Sequence, residues 1–277
     1  MREKKKDLLI RIWLGVSIVS STFLVLYILG YIFKNGFEAI SLDFIFNSPK
    51  GIPIGAEGGI FPAIVGSIIL TIFASLFASI LGISTAIYNT FYCKNEKRKS
   101  FICMIVQCIS GIPSIVLGLF GYTLLVLYLD FGRSVLSAGI TLGIMIFPFI
   151  EVRIEKILQE TDSNIISSSY ALGVSKEYTI LKLVLPLCKS EIVSCVLLAG
   201  GLAIGATAPI ILTGAVISAP VPNSIFSPVM ALPFHLYILV NESLSLKNAY
   251  GTSLIMIILL LLINFLSIFI VSRRSSK

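Results

Sequence analysis

Between Glu191 and Glu242 the sequence contains no aspartate, glutamate, lysine or arginine. Charge is scarce elsewhere too: 13% of the 277 residues are charged and 56% are hydrophobic, with a mean hydropathy of +0.99. That leaves too little polar surface for a water-soluble globule, so an integral membrane protein is expected. The one histidine, His235, has no carboxylate or cysteine nearby in the sequence, which deprives it of a ligand set and of the partners of a general base. No HExxH, GxSxG or GxxxxGK[ST] string occurs. Convergent ionisable groups at membrane depth are missing, so the chain is not expected to be an enzyme, and no catalytic residue, metal site or cofactor of its own is expected. Cys93, Cys103, Cys108, Cys188 and Cys195 form no CxxC pair, and no disulfide framework follows. Tandem repeats and low-complexity tracts are absent.

What remains is apolar sequence in long runs. Six stretches, near 9–33, 60–89, 101–129, 134–152, 187–216 and 250–272, approach or exceed the roughly 20 residues that a helix needs to cross a hydrocarbon core about 30 Å thick. None alternates at period two, so helices are expected and a β-barrel is not. The fold class expected is an all-α polytopic membrane protein with about six transmembrane helices. Residues 1–59 read as an anchor helix followed by an extracytoplasmic loop with one amphipathic turn. Residues 60–277 read as the main transmembrane domain. Segment 217–249 carries Pro220, Pro222, Pro228 and Pro233 among apolar residues, and reads equally as a re-entrant segment or as a surface loop.

The net charge of +7 invites a nucleic-acid reading, but the placement of the charge opposes it. With the N-terminus cytoplasmic, only Lys34, Lys50, Arg133 and Lys247 of the 21 basic residues fall outside, which is the positive-inside bias. Both termini are therefore expected in the cytoplasm of a cell-membrane protein in contact with lipid, with no nucleic-acid partner.

The segment 153–186 is then the longest on the cytoplasmic side, and its pattern is that of two short helices. Asp162, Ser163 or Asn164 can cap the first, Gly173 can end it in the left-handed conformation, and Ser175 can cap the second. The second helix carries Tyr178, Leu181 and Leu185 along one side and ends before the next span at Pro186. Such an elbow is too polar for lipid and too apolar for a linker, so it should dock into a partner chain. Two spans carry interruptions of their own: Pro113 and Ser114 in the third, Thr207 and Pro209 in the fifth, where Pro209 should bend the helix against the carbonyl of Gly205. These read either as pathway-lining kinks or as close packing of small residues. Glu151 and Arg153 read as ionisable groups at the end of the fourth span, reaching the headgroup region, with gating or anion contact as the other reading.

Gly173, nine residues, Leu183, one residue, then Leu185-Pro186 is similar to the cytoplasmic loop of ABC importer permease subunits, whose pattern begins Glu-Ala-Ala. Ser167, Ser168 and Ser169 stand where that triplet stands, while "YALG" at Tyr170–Gly173 is kept. "GGIFPAIVGS" (58–67), "GIPSIVLGLFG" (111–121), "GATAPIILTG" (205–214) and "ALPFHLY" (231–237) resemble, in order, the permeases of phosphate importers of the PstA type. The resemblance implies the ABC importer type I permease fold and a cytoplasmic coupling elbow at 164–186. It implies an ABC ATPase dimer that uses ATP and Mg, a second, PstC-like permease chain and an extracytoplasmic substrate-binding protein as partners. For ATPase coupling it singles out Ser167, Tyr170, Ala171, Leu172, Gly173, Leu181, Leu185 and Pro186, and for the substrate pathway Ser114, Arg153, Thr207 and Pro209. Two departures bear on the substrate: Leu202 and Ala206 replace the Arg and Glu usual in the fifth span, and Val152 stands where an Arg is usual, with Arg153 following. Permeation of another oxyanion or small solute, and a non-transporting sensor or scaffold, therefore stand beside the phosphate reading.

Overall fold

A computed structural model describes residues 2–51 and 57–275. Among these, five helical segments are long and apolar enough to cross a membrane: Ile10–Phe37, Phe61–Tyr92, Val135–Gln159, Lys176–Ile204 and Leu246–Ser272. A sixth crossing is the pair Glu96–Gly111 and Ser114–Tyr128, bent by 97° at Ile112–Pro113. The protein is thus an all-α polytopic membrane protein with about six spans. The extended structure in the described residues is a two-residue hairpin, Pro49–Lys50 with Glu57–Gly58, and a single bridge between Ala215 and Val229.

We number the helices α1 (Arg2–Phe37), α2 (Leu42–Phe46), α3 (Phe61–Ile87), α4 (Glu96–Gly111), α5 (Ser114–Gly121), α6 (Val135–Gln159), α7 (Ser163–Ala171), α8 (Lys176–Tyr178), α9 (Leu185–Ile204), α10 (Ala208–Thr213), α11 (Leu232–Asn241) and α12 (Leu246–Ser275). Three π-helical turns, Tyr88–Tyr92, Tyr122–Tyr128 and Thr179–Val184, extend α3, extend α5 and join α8 to α9. Local chemistry sets several of these boundaries. The side chains of Ser41, Asn95, Ser134 and Asp162 accept hydrogen bonds from the first turns of α2, α4, α6 and α7. Pro62 sits in the first turn of α3, where its missing N–H has no helical partner to lose.

The core lies between α3 and α6, joined by α9. Lipid is as apolar as these side chains, so close approach rather than hydrophobicity holds such helices together. Glycines permit it: Gly139 and Gly143 seat the rings of Phe73 and Phe77, and Gly82 receives Ile150. Ala74, Ala78, Ile146, Ile150, Ile154 and Ala199 fill the seam and are fully or almost fully buried. On the far side α12 packs on α9, where Ser194 and Ser267 share a hydroxyl contact of 2.5 Å. Helix α1 stands outermost, touching α12 where Tyr31 meets Tyr250 edge-on at 5.7 Å.

Several boundaries differ from the sequence reading. The third span begins at Glu96, five residues before the expected start near 101, because Asn95 caps it. The fourth continues to Gln159, seven residues beyond the expected end at 152. Pro186 does not end a helix: the helical segment runs unbroken from Lys176 to Ile204. The π turn over Thr179–Val184 spreads the carbonyls ahead of Pro186, which relieves the clash a proline normally makes four residues back. Segment 217–249 is neither one helix nor a plain loop. It pairs Val229 with Ala215, then forms α11, whose first residues pack into the bundle: the Leu232 N–H donates to Ser67 Oγ at 2.8 Å.

That docking leaves no room at Gly66, where an added Cβ would overlap the Met230 carbonyl oxygen and the Val229 side chain. Gly66→Val is expected to cost about 1–3 kcal/mol through overpacking, read as a lower melting temperature of the detergent-solubilised protein. Gly201→Ala, whose nearest neighbour would be Leu260 Cδ2 at 3.9 Å, is expected to melt with the parent.

Candidate functional site

Two places in the chain depart from a simple bundle: the elbow 164–186 and the pair of helix breaks. In the elbow, Asp162 accepts from the Asn164 N–H at 2.9 Å, and α7 runs to Ala171. Gly173 then takes φ +76°, a left-handed conformation that costs other residues about 1–2 kcal/mol. The Val174 N–H reaches back to the Ser169 carbonyl at 3.2 Å, and Ser175 caps α8 by accepting from Tyr178 N–H. A buried hydroxyl pair, Ser169 Oγ and Thr179 Oγ1 at 2.7 Å, fixes the angle between the two helices. The Ser169, Ser175 and Thr179 hydroxyls are thus satisfied within the elbow, and Leu172, 83% exposed, and Leu181, 60%, face outward. Asn164, Ile165, Leu172, Val174, Tyr178 and Leu183 border an open groove of about 490 Å³.

Of the predicted coupling residues, Ser167, Tyr170, Ala171, Leu172, Gly173 and Leu181 lie on this exposed elbow. Leu185 does not; one turn past Leu181 the continuous helix has entered the bundle, and Leu185 packs half-buried against the core beside Val184 and Cys188. Pro186 is exposed on the outer face of that helix.

The second feature joins the two interrupted spans. The fifth span breaks at Gly205–Thr207 instead of bending, and Pro209 sits in the first turn of the new helix α10. Helix α5, which starts at Ser114 after the Pro113 break, lies against α10: a Cβ on Gly118 would stand 3.0 Å from the Ala208 carbonyl oxygen and from Pro209 Cα. Ser114, Thr207 and Pro209 therefore belong to one junction. Beside it Ser67, Thr71, Ala203, Ile204 and Ile210 line a cavity of about 10 Å³, the size of one water. Leu202 is 52% exposed on the helix leading into the break. Thr141 and Thr213, unnoticed in the sequence, close the junction below Gly121, but their hydroxyls bond back to the Ser137 and Pro209 carbonyls of their own helices.

Arg153 is elsewhere. The α10 end packs on the start of α6 through Gly214 and Ala138, and Arg153 lies fifteen residues further along that helix, about 22 Å away at 1.5 Å per residue. It lines a separate crevice of about 230 Å³ with Lys156, Glu160, Glu191, Ser194 and Cys195. Glu151, read as reaching the headgroups, is 2% exposed, because α6 extends past it and turns it inward. There Asn89 Nδ2 donates to Glu151 Oε1 at 3.1 Å and to Glu155 Oε2 at 3.2 Å, while Lys99 Nζ stands 3.4 Å from Glu155 Oε1. His235 is buried in α11, and no group of His, Cys, Asp and Glu suited to a metal occurs among the described residues.

Residues 78–274 match the family model of binding-protein-dependent transport system inner membrane components. The chain belongs to this family. Among its relatives in the family, the phosphate transport system permease protein PstA 2 of Mycobacterium tuberculosis is 33% identical over 225 residues, covering 79% of this chain and 74% of the relative. The phosphate transport system permease protein PstA of Mycobacterium leprae is 32% identical over 259 residues, covering 90% and 84%. A chain of the MetNI methionine ABC transporter, solved in inward-facing conformations, superposes with a TM-score of 0.59 at 18% identity, covering 76% of this chain and 94% of that one. The fold is therefore the ABC importer type I permease fold.

The α5–α10 junction depends on Gly118 having no side chain. Gly118→Val is expected to destabilise the protein by about 1–3 kcal/mol by thermal melting. Gly111→Ala, with open space around it, is expected to leave the melting temperature unchanged.

Proposed function

We propose that the chain is the transmembrane permease subunit of an ATP-driven importer of inorganic phosphate, with the elbow 164–186 as the site on which a cytoplasmic ATPase acts. The observation that carries the ATPase part is the elbow itself. Its backbone is closed by Gly173 and Ser175, the Ser169 and Thr179 hydroxyls are paired inward, and Leu172, Tyr178 and Leu181 stand in the open. Exposed apolar side chains on a rigid two-helix unit suit a groove on a partner protein. The chain has no phosphate-binding loop, so ATP and Mg bind the ATPase dimer, whose closure would displace the elbow and rock the helices. The elbow and both termini then lie on the cytoplasmic side, as the basic residues favour.

The phosphate reading rests on the relatives named above, and a second, PstC-like permease chain and an extracytoplasmic binding protein would complete the importer. The pathway would run past the junction of Ser114, Thr207 and Pro209. No charged side chain occurs from Ile192 to Asn241, so a hydrated anion would meet hydroxyls, backbone N–H groups and retained water there. Binding in the pore would be weak, and selectivity would belong to the binding protein. Leu202 and Ala206, in place of the usual Arg and Glu, favour a second reading in which the cargo is a different oxyanion or small solute.

With its own ATPase, partner permease and binding protein in proteoliposomes, the chain is expected to take up labelled phosphate on addition of ATP. Leu172→Glu and Gly173→Val are expected to reduce uptake at least tenfold and to weaken co-purification of the ATPase, and Thr207→Val to change the uptake rate. Uptake of another oxyanion but not of phosphate would replace the cargo and keep the permease reading. Parent-level uptake in Leu172→Glu would remove the elbow from coupling.

A further inference from the structure

The elbow touches the membrane bundle at one irregular turn. Lys176, the first residue of α8, donates its Nζ to the Phe91 carbonyl and lies 4.4 Å from the centre of the Tyr92 ring. Tyr92 in turn donates its hydroxyl to Glu177 Oε1 at 3.4 Å. Phe91 and Tyr92 belong to the π turn Tyr88–Tyr92 that ends the second span. Three residues before Tyr92, Asn89 spans the Glu151 and Glu155 carboxylates of the fourth span with one amide nitrogen. Glu155 is held further by Lys99 from the third span and by Gln159 Nε2 at 2.7 Å. One turn of five residues at the end of the second span thus connects the elbow to the fourth span, to which Lys99 joins the third.

Two properties mark this turn as movable. A π turn holds an extra residue, visible here in the Cys93 N–H bonding the Tyr88 carbonyl five residues back at 2.8 Å. Returning it to α-helical register would rotate one side of the turn against the other by about 100°, the angle of one helical residue, and carry Asn89 off its carboxylates. In addition, Asn89 Oδ1 and Thr90 Oγ1 are buried without a hydrogen-bond partner. Buried polar atoms are almost always paired in a settled structure, so two orphans in one turn are a reason to look for a second arrangement that pairs them. A relay needs such a two-state element and not merely a chain of contacts.

We propose that the π turn Tyr88–Tyr92 is the element that passes displacement of the elbow into the bundle, with Asn89 as its positioning residue on the fourth span and Lys176 as its link to the elbow. The proposal rests on the elbow being the site of ATPase action. Movement of α8 pulls on the Phe91 carbonyl, the turn changes register, and Asn89 releases or regains Glu151 and Glu155. This shifts the end of α6 beyond Glu151 against the turn, while the α3–α6 seam stays closed.

The test uses the reconstituted importer and reads phosphate taken up per ATP hydrolysed, a ratio that loss of folded protein does not change. Asn89→Ala is expected to keep ATPase co-purification and to lower that ratio at least tenfold. Lys176→Ala, made at a part-exposed side chain with little risk to folding, is expected to lower it three- to tenfold. Tyr92→Phe, which removes only the bond to Glu177, is expected to lower it about twofold. If Leu172→Glu abolishes uptake while Asn89→Ala and Lys176→Ala keep the parent ratio, the relay is wrong and the elbow reading stands. If Leu172→Glu also leaves uptake at the parent level, both are wrong.

Discussion

A peptide group inside hydrocarbon has no water to bond, so every departure from the helix at membrane depth has to be covered by protein. The rest of the structure follows from how this chain meets that constraint. Its spans break at Ile112–Pro113 and at Gly205–Thr207, and the helices that follow the two breaks lie on one another where Gly118 meets Ala208 and Pro209. The contact covers the helices just past the breaks, while Ile112, Pro113, Ser114 and Gly205 at the breaks themselves stay exposed in the single chain. The hydroxyls that face the junction, Thr141 and Thr213, are satisfied by their own helices, so little polarity is left for the lipid to oppose.

The same constraint separates a stiff region from a responsive one. Between α3 and α6 the glycines at 82, 139 and 143 let aromatic and branched side chains fill the seam, and a seam packed this closely moves as one body. Two of the three π turns are at its margins: Tyr88–Tyr92 at the end of the second span, and Thr179–Val184 at the start of the fifth. The first touches the elbow and the second lies within it. In the proposed importer, force would enter where the backbone is least regular and be carried where packing is densest.

Much of this was legible from residue types. Asp162, Gly173 and Ser175 have side chains or backbone freedom that act within one turn, and the structure uses each at the position where the sequence placed it. The spans were legible because hydrocarbon thickness sets their length. What escaped were effects between distant segments. Pro186 reads as a helix stop, yet the π turn Thr179–Val184 ahead of it lets the helix continue. Glu151 reads as a headgroup residue, since nothing local shows that Asn89, 62 positions earlier, waits for it. Leu185 shares the elbow's spacing, but one turn past Leu181 the unbroken helix has reached the bundle and packs it against the core. Arg153 was grouped with Ser114, Thr207 and Pro209 through the family resemblance, and the length of α6 separates it from their junction.

The central claim is that the exposed apolar face of the elbow is where an ATPase acts on this permease. It is tested most directly by placing a single cysteine at position 172, in a chain otherwise free of cysteine, and cross-linking it in membranes that contain the whole transporter. The account predicts an adduct between position 172 and the ATPase whose yield changes when ATP is trapped. Absence of that adduct, with a cysteine at Trp13 on α1 linking to the ATPase instead, would contradict it.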